Sequence, residues 1–221
     1  MLSFLLAAAV SAAPVQDRLS EIVERIERHY DATADFEASF TQRYERRLLR
    51  RTVEEKGSVS VKKPGRMRWE YRSPEEKLFV TDGTKTYFYL PSENQVMVSH
   101  QPQGAMGMEP GSPFELLAGR GRLSDSFTAS FSEEPPAKGG IVLRLDPKTP
   151  REEFEVVELE IDPKDGRVLR VVLIDTASNR TEFLFDDVRE NVGLSETLFR
   201  FAIPSGVEVV VQPSDNPNGA P

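Results

Sequence analysis

Few residues in this 221-residue chain are of types that do covalent chemistry, and those few are not spaced to do it. The two histidines, His29 and His100, stand far apart, with no third ligand at metal-binding spacing. Cysteine is absent, which removes disulfides, thiolate metal sites and a thiol nucleophile together. Asp162-Pro-Lys-Asp165-Gly166 begins like a calcium loop but lacks the downstream liganding glutamate, and a hairpin needs a turn at that point. The acidic pairs Glu54/Glu55, Glu75/Glu76, Glu133/Glu134 and Asp186/Asp187 would have to converge for general acid–base work, yet neighbours on a strand point to opposite faces. No Gly-x-Ser-x-Gly elbow, phosphate-cradling glycine loop, dinucleotide fingerprint or zinc-protease helix occurs. The residues imply neither a catalytic constellation nor a metal site nor a cofactor, and the expectation is a protein that is not an enzyme.

What remains is apolar chemistry, concentrated between Gly57 and Val98. Met67, Trp69 and Tyr71 alternate with Arg66, Arg68, Glu70 and Arg72, the period of two expected of a strand with one dry and one wet face. A second strand follows from Lys77 to Thr81. Asp82-Gly83 supplies a tight turn, Tyr87, Phe88 and Tyr89 return, and Pro91 to Asn94 turn again before Val96 and Val98. A single curved sheet whose large side chains face inward must be covered by a second sheet, by helices or by a ligand.

Helices able to cover it are present. From Asp17, the residues Leu19, Ile22, Val23, Ile26 and Tyr30 recur at helical spacing, with Glu21, Glu24, Arg25, Glu27 and Arg28 on the other side. Ser112-Pro113-Phe114-Glu115 offers an N-cap, a proline at the first helical position and a capping-box glutamate for a short helix through Leu116, Leu117 and Ala118 that stops at Gly119. Between the meander and this helix lies a Gly- and Pro-rich stretch, His100 to Gly111, carrying Met106 and Met108. Two long strands, Asp35 to Leu48 and Thr52 to Val61, precede the meander, joined by a tip without Gly, Asn or Pro. Further strands are expected at Ser126–Phe131, Ile141–Leu145, Phe154–Ile161, Arg167–Asp175 and Thr181–Val188, with Phe199, Phe201, Ile203 and Val207 to Val211 closing the domain. The total is about 11 strands and two helices.

The first residues, Met1 to Ala13, combine a short apolar core with small residues, which predicts a secretory signal over 1–12 and a mature domain over 13–211. No Lys or Arg precedes the apolar core, so either the α-amino group serves or the natural start lies upstream. Residues 212–221 form a polar Pro/Asn tail expected to be disordered. Export without cysteine, and hence without a lipid-modified N-terminal Cys, suits the periplasm. The formal net charge of −8 argues against nucleic acid or an anionic membrane as the main partner. One local exception is Arg43, Arg46, Arg47, Arg50 and Arg51, followed at once by Glu54 and Glu55; it reads either as a solvated hairpin edge or as a docking patch for an acidic partner.

Several motifs in order give the chain a resemblance. Phe36-Glu-Ala-Ser-Phe40-Thr-Gln42, Val61-Lys-Lys-Pro64 with Met67-Arg-Trp69, Val80-Thr-Asp-Gly83 with Tyr87-Phe-Tyr89, Pro113-Phe-Glu-Leu-Leu117 and Phe199-Arg-Phe-Ala-Ile-Pro204-Ser-Gly206 are similar to the periplasmic outer-membrane lipoprotein carriers, the LolA family. The resemblance implies a mainly β fold with an α lid: an unclosed antiparallel β-barrel, a half-barrel, covered by the N-terminal amphipathic helix and the short second helix. It further implies a chaperone, expected to be a monomer, that holds the acyl chains of lipoproteins. Cargo would come from an inner-membrane ATP-binding-cassette transporter and pass to an outer-membrane lipoprotein receptor. The expected lipid-binding cavity is Phe36, Phe40, Met67, Trp69, Tyr71, Leu78, Val80, Phe88, Phe114 and Leu117. In the family a basic residue before the proline, usually arginine, latches the lid through its backbone; here that position is Lys63, which lacks the planar fork. Other readings of the same residues are a periplasmic lipid- or lipoprotein-sensing protein, and a carrier of another amphiphile such as a glycolipid.

Overall fold

The structure, a computed structural model, describes residues 13–99 and 112–211. The expected signal segment, the Met-bearing stretch with His100, and the tail lie outside these residues. The chain opens with α1 (Ala13–Ala32), which buries Leu19, Ile22, Ile26 and Tyr30 along one stripe. Six strands follow: β1 (Asp35–Arg46), β2 (Arg51–Lys62), β3 (Arg66–Ser73), β4 (Lys77–Thr81), β5 (Thr86–Leu90) and β6 (Gln95–Ser99). Then come α2 (Pro113–Leu117), α3 (Leu123–Ser126), β7 (Phe127–Phe131), β8 (Ile141–Pro147), β9 (Val156–Ile161), β10 (Val168–Ile174), β11 (Arg180–Glu190) and β12 (Glu208–Val211).

All twelve strands belong to one sheet in the order β12-β6-β5-β4-β3-β2-β1-β11-β10-β9-β8-β7. Two consecutive meanders, β1 to β6 and β7 to β11, are thus sewn together where β1 pairs β11 from Phe36↔Glu190 to Glu45↔Arg180. The outermost strands β12 and β7 do not pair, so the barrel is unclosed. Twelve strands and three α-helices among the described residues replace the expected 11 and two. Residues 199 to 203 are not a strand: Glu196–Phe199 is a 3₁₀ turn capped by Ser195, and only Glu208–Val211 pairs, in parallel with β6.

The sheet is tightly curled. Between β3 and β11 lie β2 and β1, three steps of about 4.8 Å that would hold side chains on a flat sheet roughly 14 Å apart. Yet the rings of Trp69 on β3 and Phe183 on β11 have centroids 5.6 Å apart. Gly57 helps, because it stands opposite Phe40 in register, and a Cβ there would lie 2.0 Å from the Glu70 carbonyl oxygen and 2.9 Å from the Phe40 ring. Only glycine lets that ring lie across β2.

Candidate functional site

The concave face is a cluster of rings. Phe40 lies edge-on to Trp69 and Tyr71, each at 4.9 Å, and Trp69 meets Phe183 on the opposite wall. From above, Phe114 of α2 enters the same cluster, edge-on to Trp69 at 5.7 Å and to Phe183 at 5.2 Å. The short helix is positioned for this by its cap: the Ser112 hydroxyl accepts from the Phe114 N–H, and Pro113 sits at the first helical position. Tyr71 donates its hydroxyl to Gln42 at 2.6 Å, and burial pushes its ionisation well above the usual phenol range. The Trp69 indole N–H is buried with no acceptor among the described residues.

Of the ten residues expected to line a cavity, Phe36, Phe40, Met67, Trp69, Tyr71, Phe114 and Leu117 are buried in this one cluster, and Phe88 packs half-buried against it. Leu78 and Val80 fall outside it. The register pairs Trp69 with Phe79, and sets Leu78 and Val80 opposite Glu70 and Arg68 on the outer face. There they share a second, smaller apolar layer with Tyr87 and Tyr89, whose rings lie 5.6 Å from Phe201. The inward residue of β4 is therefore Phe79.

The cover is held by a handful of polar ties. Lys63, whose amide donates to Ala34 O at 2.9 Å, reaches with its ammonium to the Tyr30 carbonyl in the last turn of α1. Burial pulls the ammonium below the usual lysine range, and the carboxylate of Asp31 opposes this. Gly119 has a left-handed backbone, φ +65°, and a Cβ there would lie 2.5 Å from the Lys63 side chain, so its lack of a side chain lets lysine cross the end of α2. Gly65 N donates to Ala118 O at 3.0 Å, and the Arg120 guanidinium donates to Gly65 O and Gly83 O, both at 3.1 Å. Arg120 is absent from the sequence-based site, although a basic residue just past a helix stop is a position from which carbonyls can be met.

Helix α1 has further clasps of its own. Glu27, buried on a face the periodicity made polar, accepts from Arg122 at 2.9 Å, Ser124 N at 3.0 Å and Ser124 Oγ at 2.7 Å. Burial alone would raise its pKa; the Ser124 and Arg122 hydrogen bonds outweigh that and hold it below the usual range. His29 pairs with Glu190 at 2.7 Å, and Tyr30 Oη accepts from Val168 N at 3.1 Å.

Between cover and sheet, a void of about 10 Å³ bordered by Tyr30, Phe36, Leu117 and Phe185 has room for about one water. An open groove of about 730 Å³ runs along the other flank of α1, where Leu19, Val23 and Arg122 face Phe127 and Ala129 of the free-edged strand β7.

A curled, unclosed sheet whose ring-lined inner face is covered by small helices defines a lidded half-barrel binding fold. A sequence model of one family, "Outer membrane lipoprotein carrier protein LolA", matches residues 31–202. A Pseudomonas aeruginosa relative named outer-membrane lipoprotein carrier protein is 33% identical over 163 residues, 72% of this chain and 73% of the relative. One of the same name from Nitrosomonas europaea is 30% identical over 210 residues, 95% and 98% of the two chains. A solved structure of an uncharacterised conserved protein from Thermus thermophilus shares the fold with a TM-score of 0.55 at 18% identity, covering 87% of this chain and 98% of that one. The chain belongs to the LolA family of lipoprotein carriers.

Proposed function

We propose that this chain is a periplasmic chaperone that takes the acyl chains of lipoproteins between its concave face and the α1/α2 cover. It would receive them from an inner-membrane ATP-binding-cassette transporter and pass them, as a monomer, to an outer-membrane receptor. The observation that carries this reading is the Phe114–Trp69–Phe183 contact, where an inner face too apolar for water is closed by a helix of one turn. Phe36, Phe40, Met67, Trp69, Tyr71, Phe88, Phe114 and Leu117 are the proposed contacts, with Lys63 the latch. The α1–β7 groove is the proposed point of entry.

Magnitudes favour a lid that yields to cargo. Burying half of a long acyl chain yields on the order of 6 kcal/mol at about 0.8 per methylene. Opposing it are ring contacts worth about 0.5–1.5 kcal/mol each and hydrogen bonds worth about 1 kcal/mol each. Their sum for one short helix is comparable with the gain from one chain, which leaves binding reversible. The test is release of newly made lipoprotein from spheroplasts. Cargo should leave as a soluble one-to-one complex only when acylated; equal release of an unacylated variant, or release of neither, refutes the proposal.

A further inference from the structure

The tip of the β1–β2 hairpin is built unlike the rest of the surface. Its sequence is Arg46-Arg47-Leu48-Leu49-Arg50-Arg51, with residues 47–50 forming the turn and Arg50 taking the left-handed backbone, φ 48°, that a glycine or asparagine would usually supply. Leu48 is 88% exposed and Leu49 64%, more than any other large apolar residue described. The tip overhangs the sheet: β11 supports β1 only as far as Glu45↔Arg180, and β3 supports β2 only as far as Lys56↔Ser73.

Charge is sorted along the same hairpin. In its stem Glu54 is matched by Arg43 at 3.0 Å and Lys56 at 3.0 Å, and Glu55 by Lys77, while Glu45, next to the tip, has no ion pair among the described residues. At the tip, Arg46, Arg47, Arg50 and Arg51 have no carboxylate partner among the described residues, although the chain as a whole carries −8. Arg46 lies over the Tyr44 ring at 5.5 Å, which leaves its charge at the tip. A partner for this surface must offer negative charge around an apolar interior. An anionic bilayer does so at the depth of one side chain, with phosphates at the level of the arginines and acyl chains below.

We propose that this hairpin tip docks the protein on anionic membrane surfaces, with Leu48 and Leu49 entering the interface and the four arginines engaging lipid phosphates. This goes beyond the cargo reading and is tested without cargo. The full chain is floated with phosphatidylcholine vesicles with and without phosphatidylglycerol. Binding should require phosphatidylglycerol and weaken with salt. Leu48→Ser with Leu49→Ser, and separately glutamine at all four tip arginines, should each lower it at least about tenfold. Val209→Ser with Val210→Ser, an exposed apolar pair on β12, should leave it unchanged. Because the chain has no cysteine, an environment-sensitive fluorophore on Leu48→Cys reads insertion at one site: its emission should shift to the blue on anionic vesicles, while the same label on Val192→Cys should not respond. No binding by the unaltered chain, or undiminished binding by both tip variants, overturns the proposal. So does binding lost only with the arginines while the label at position 48 stays in water, which would reduce the contact to electrostatic adsorption without insertion.

Discussion

Over the concave face, α2 rests on rings while α1 is tied by Glu27, His29 and Lys63; over the convex face of β9 and β10, residues 132–140 rest on charges. The convex strap closes over Glu160, which is fully buried and accepts from Ala137 N at 2.8 Å, Lys138 N at 2.7 Å and Gly140 N at 3.0 Å. Arg170 joins Glu160 at 2.9 Å, Glu182 at 3.1 Å and the Pro135 carbonyl at 3.0 Å. Those bonds are directional and mutually dependent, so the strap comes off only with several unpaired buried groups left behind. Ring contacts can be exchanged for contacts with any other apolar surface. The molecule therefore has one cover made to stay and, in α2, one whose ring contacts another apolar surface can replace.

The sharpest way to break this comparison is Arg170→Met. It leaves the buried Glu160 without its cation and Glu182 with only the longer pairs to Arg43 at 3.5 Å and Arg180 at 3.6 Å, and should lower unfolding free energy by about 3–5 kcal/mol in urea denaturation. Removing Glu160 as well does not restore stability, because three backbone N–H groups then lose their acceptor. Cargo bound per folded molecule should be unchanged. An equal loss of cargo capacity would show that the strap is not merely structural.

Acid should act on the same contacts. Burial raises the Glu160 pKa, but the hydrogen bonds from Gly140, Ala137 and Lys138 and the charge of Arg170 outweigh it, so the folded value lies below the ordinary carboxylate value of 4.5. The stability this carboxylate contributes is present above the unfolded value and is lost as pH falls through the folded one. Glu160→Gln should be less stable at neutral pH, by about 1.5–3 kcal/mol, and should lose less on acidification than the parent. Glu27 is shifted in the same direction, and Glu27→Gln should flatten the acid dependence of α1 docking, read by hydrogen exchange in the helix. Parallel acid profiles for variant and parent would remove these two groups from the account.

Which parts of this comparison the sequence shows follows from how each is encoded. Met67, Trp69 and Tyr71 alternate cleanly because β3 has a polar outer face. Leu78-Phe79-Val80 does not alternate: the C-terminal segment bearing Phe199 and Phe201 covers that outer face, and a strand apolar on both sides carries no phase. Only the Trp69↔Phe79 register, set by the neighbouring strand, fixes which residue looks inward. Glu27 and Arg120 are single polar residues whose partners are distant in sequence, so no local spacing marks them; Glu160 and Arg170 face each other across one hairpin, but nothing in their spacing marks the strap that buries them. The tip at Leu48-Leu49 is hidden for a related reason, because Arg50 supplies the turn without a turn-forming residue.

On the concave side, Phe114→Leu should cost about 1 kcal/mol of stability, the size of a near volume-conserving exchange. Unlike Arg170→Met it should also raise cargo affinity, since part of the energy for opening the lid is removed in advance. If that whole amount appears in binding, the gain is roughly fivefold, measurable by competition with a fluorescent fatty acid. Reduced affinity would mean that Phe114 contributes more as a wall of the filled cavity than as a plug of the empty one.

The smallest change in stability belongs to Lys63. Its bond to the Tyr30 carbonyl places a cation at the end of α1, where the helix dipole is negative, but burial of the ammonium offsets that gain, as the lowered pKa indicates. Lys63→Ala should therefore move the unfolding free energy by less than about 1 kcal/mol while speeding lid opening and altering the rate of cargo transfer. Lys63→Arg should slow opening: the fork can hold Tyr30 O and a second carbonyl at once, and Gly119 leaves the space its stem needs. The two variants thus change transfer in opposite directions with stability nearly constant, whereas a lysine that only packs against Gly119 would give one direction for both. Transfer rates of the three proteins, measured with one acylated cargo and a membrane acceptor, separate a latch from a spacer.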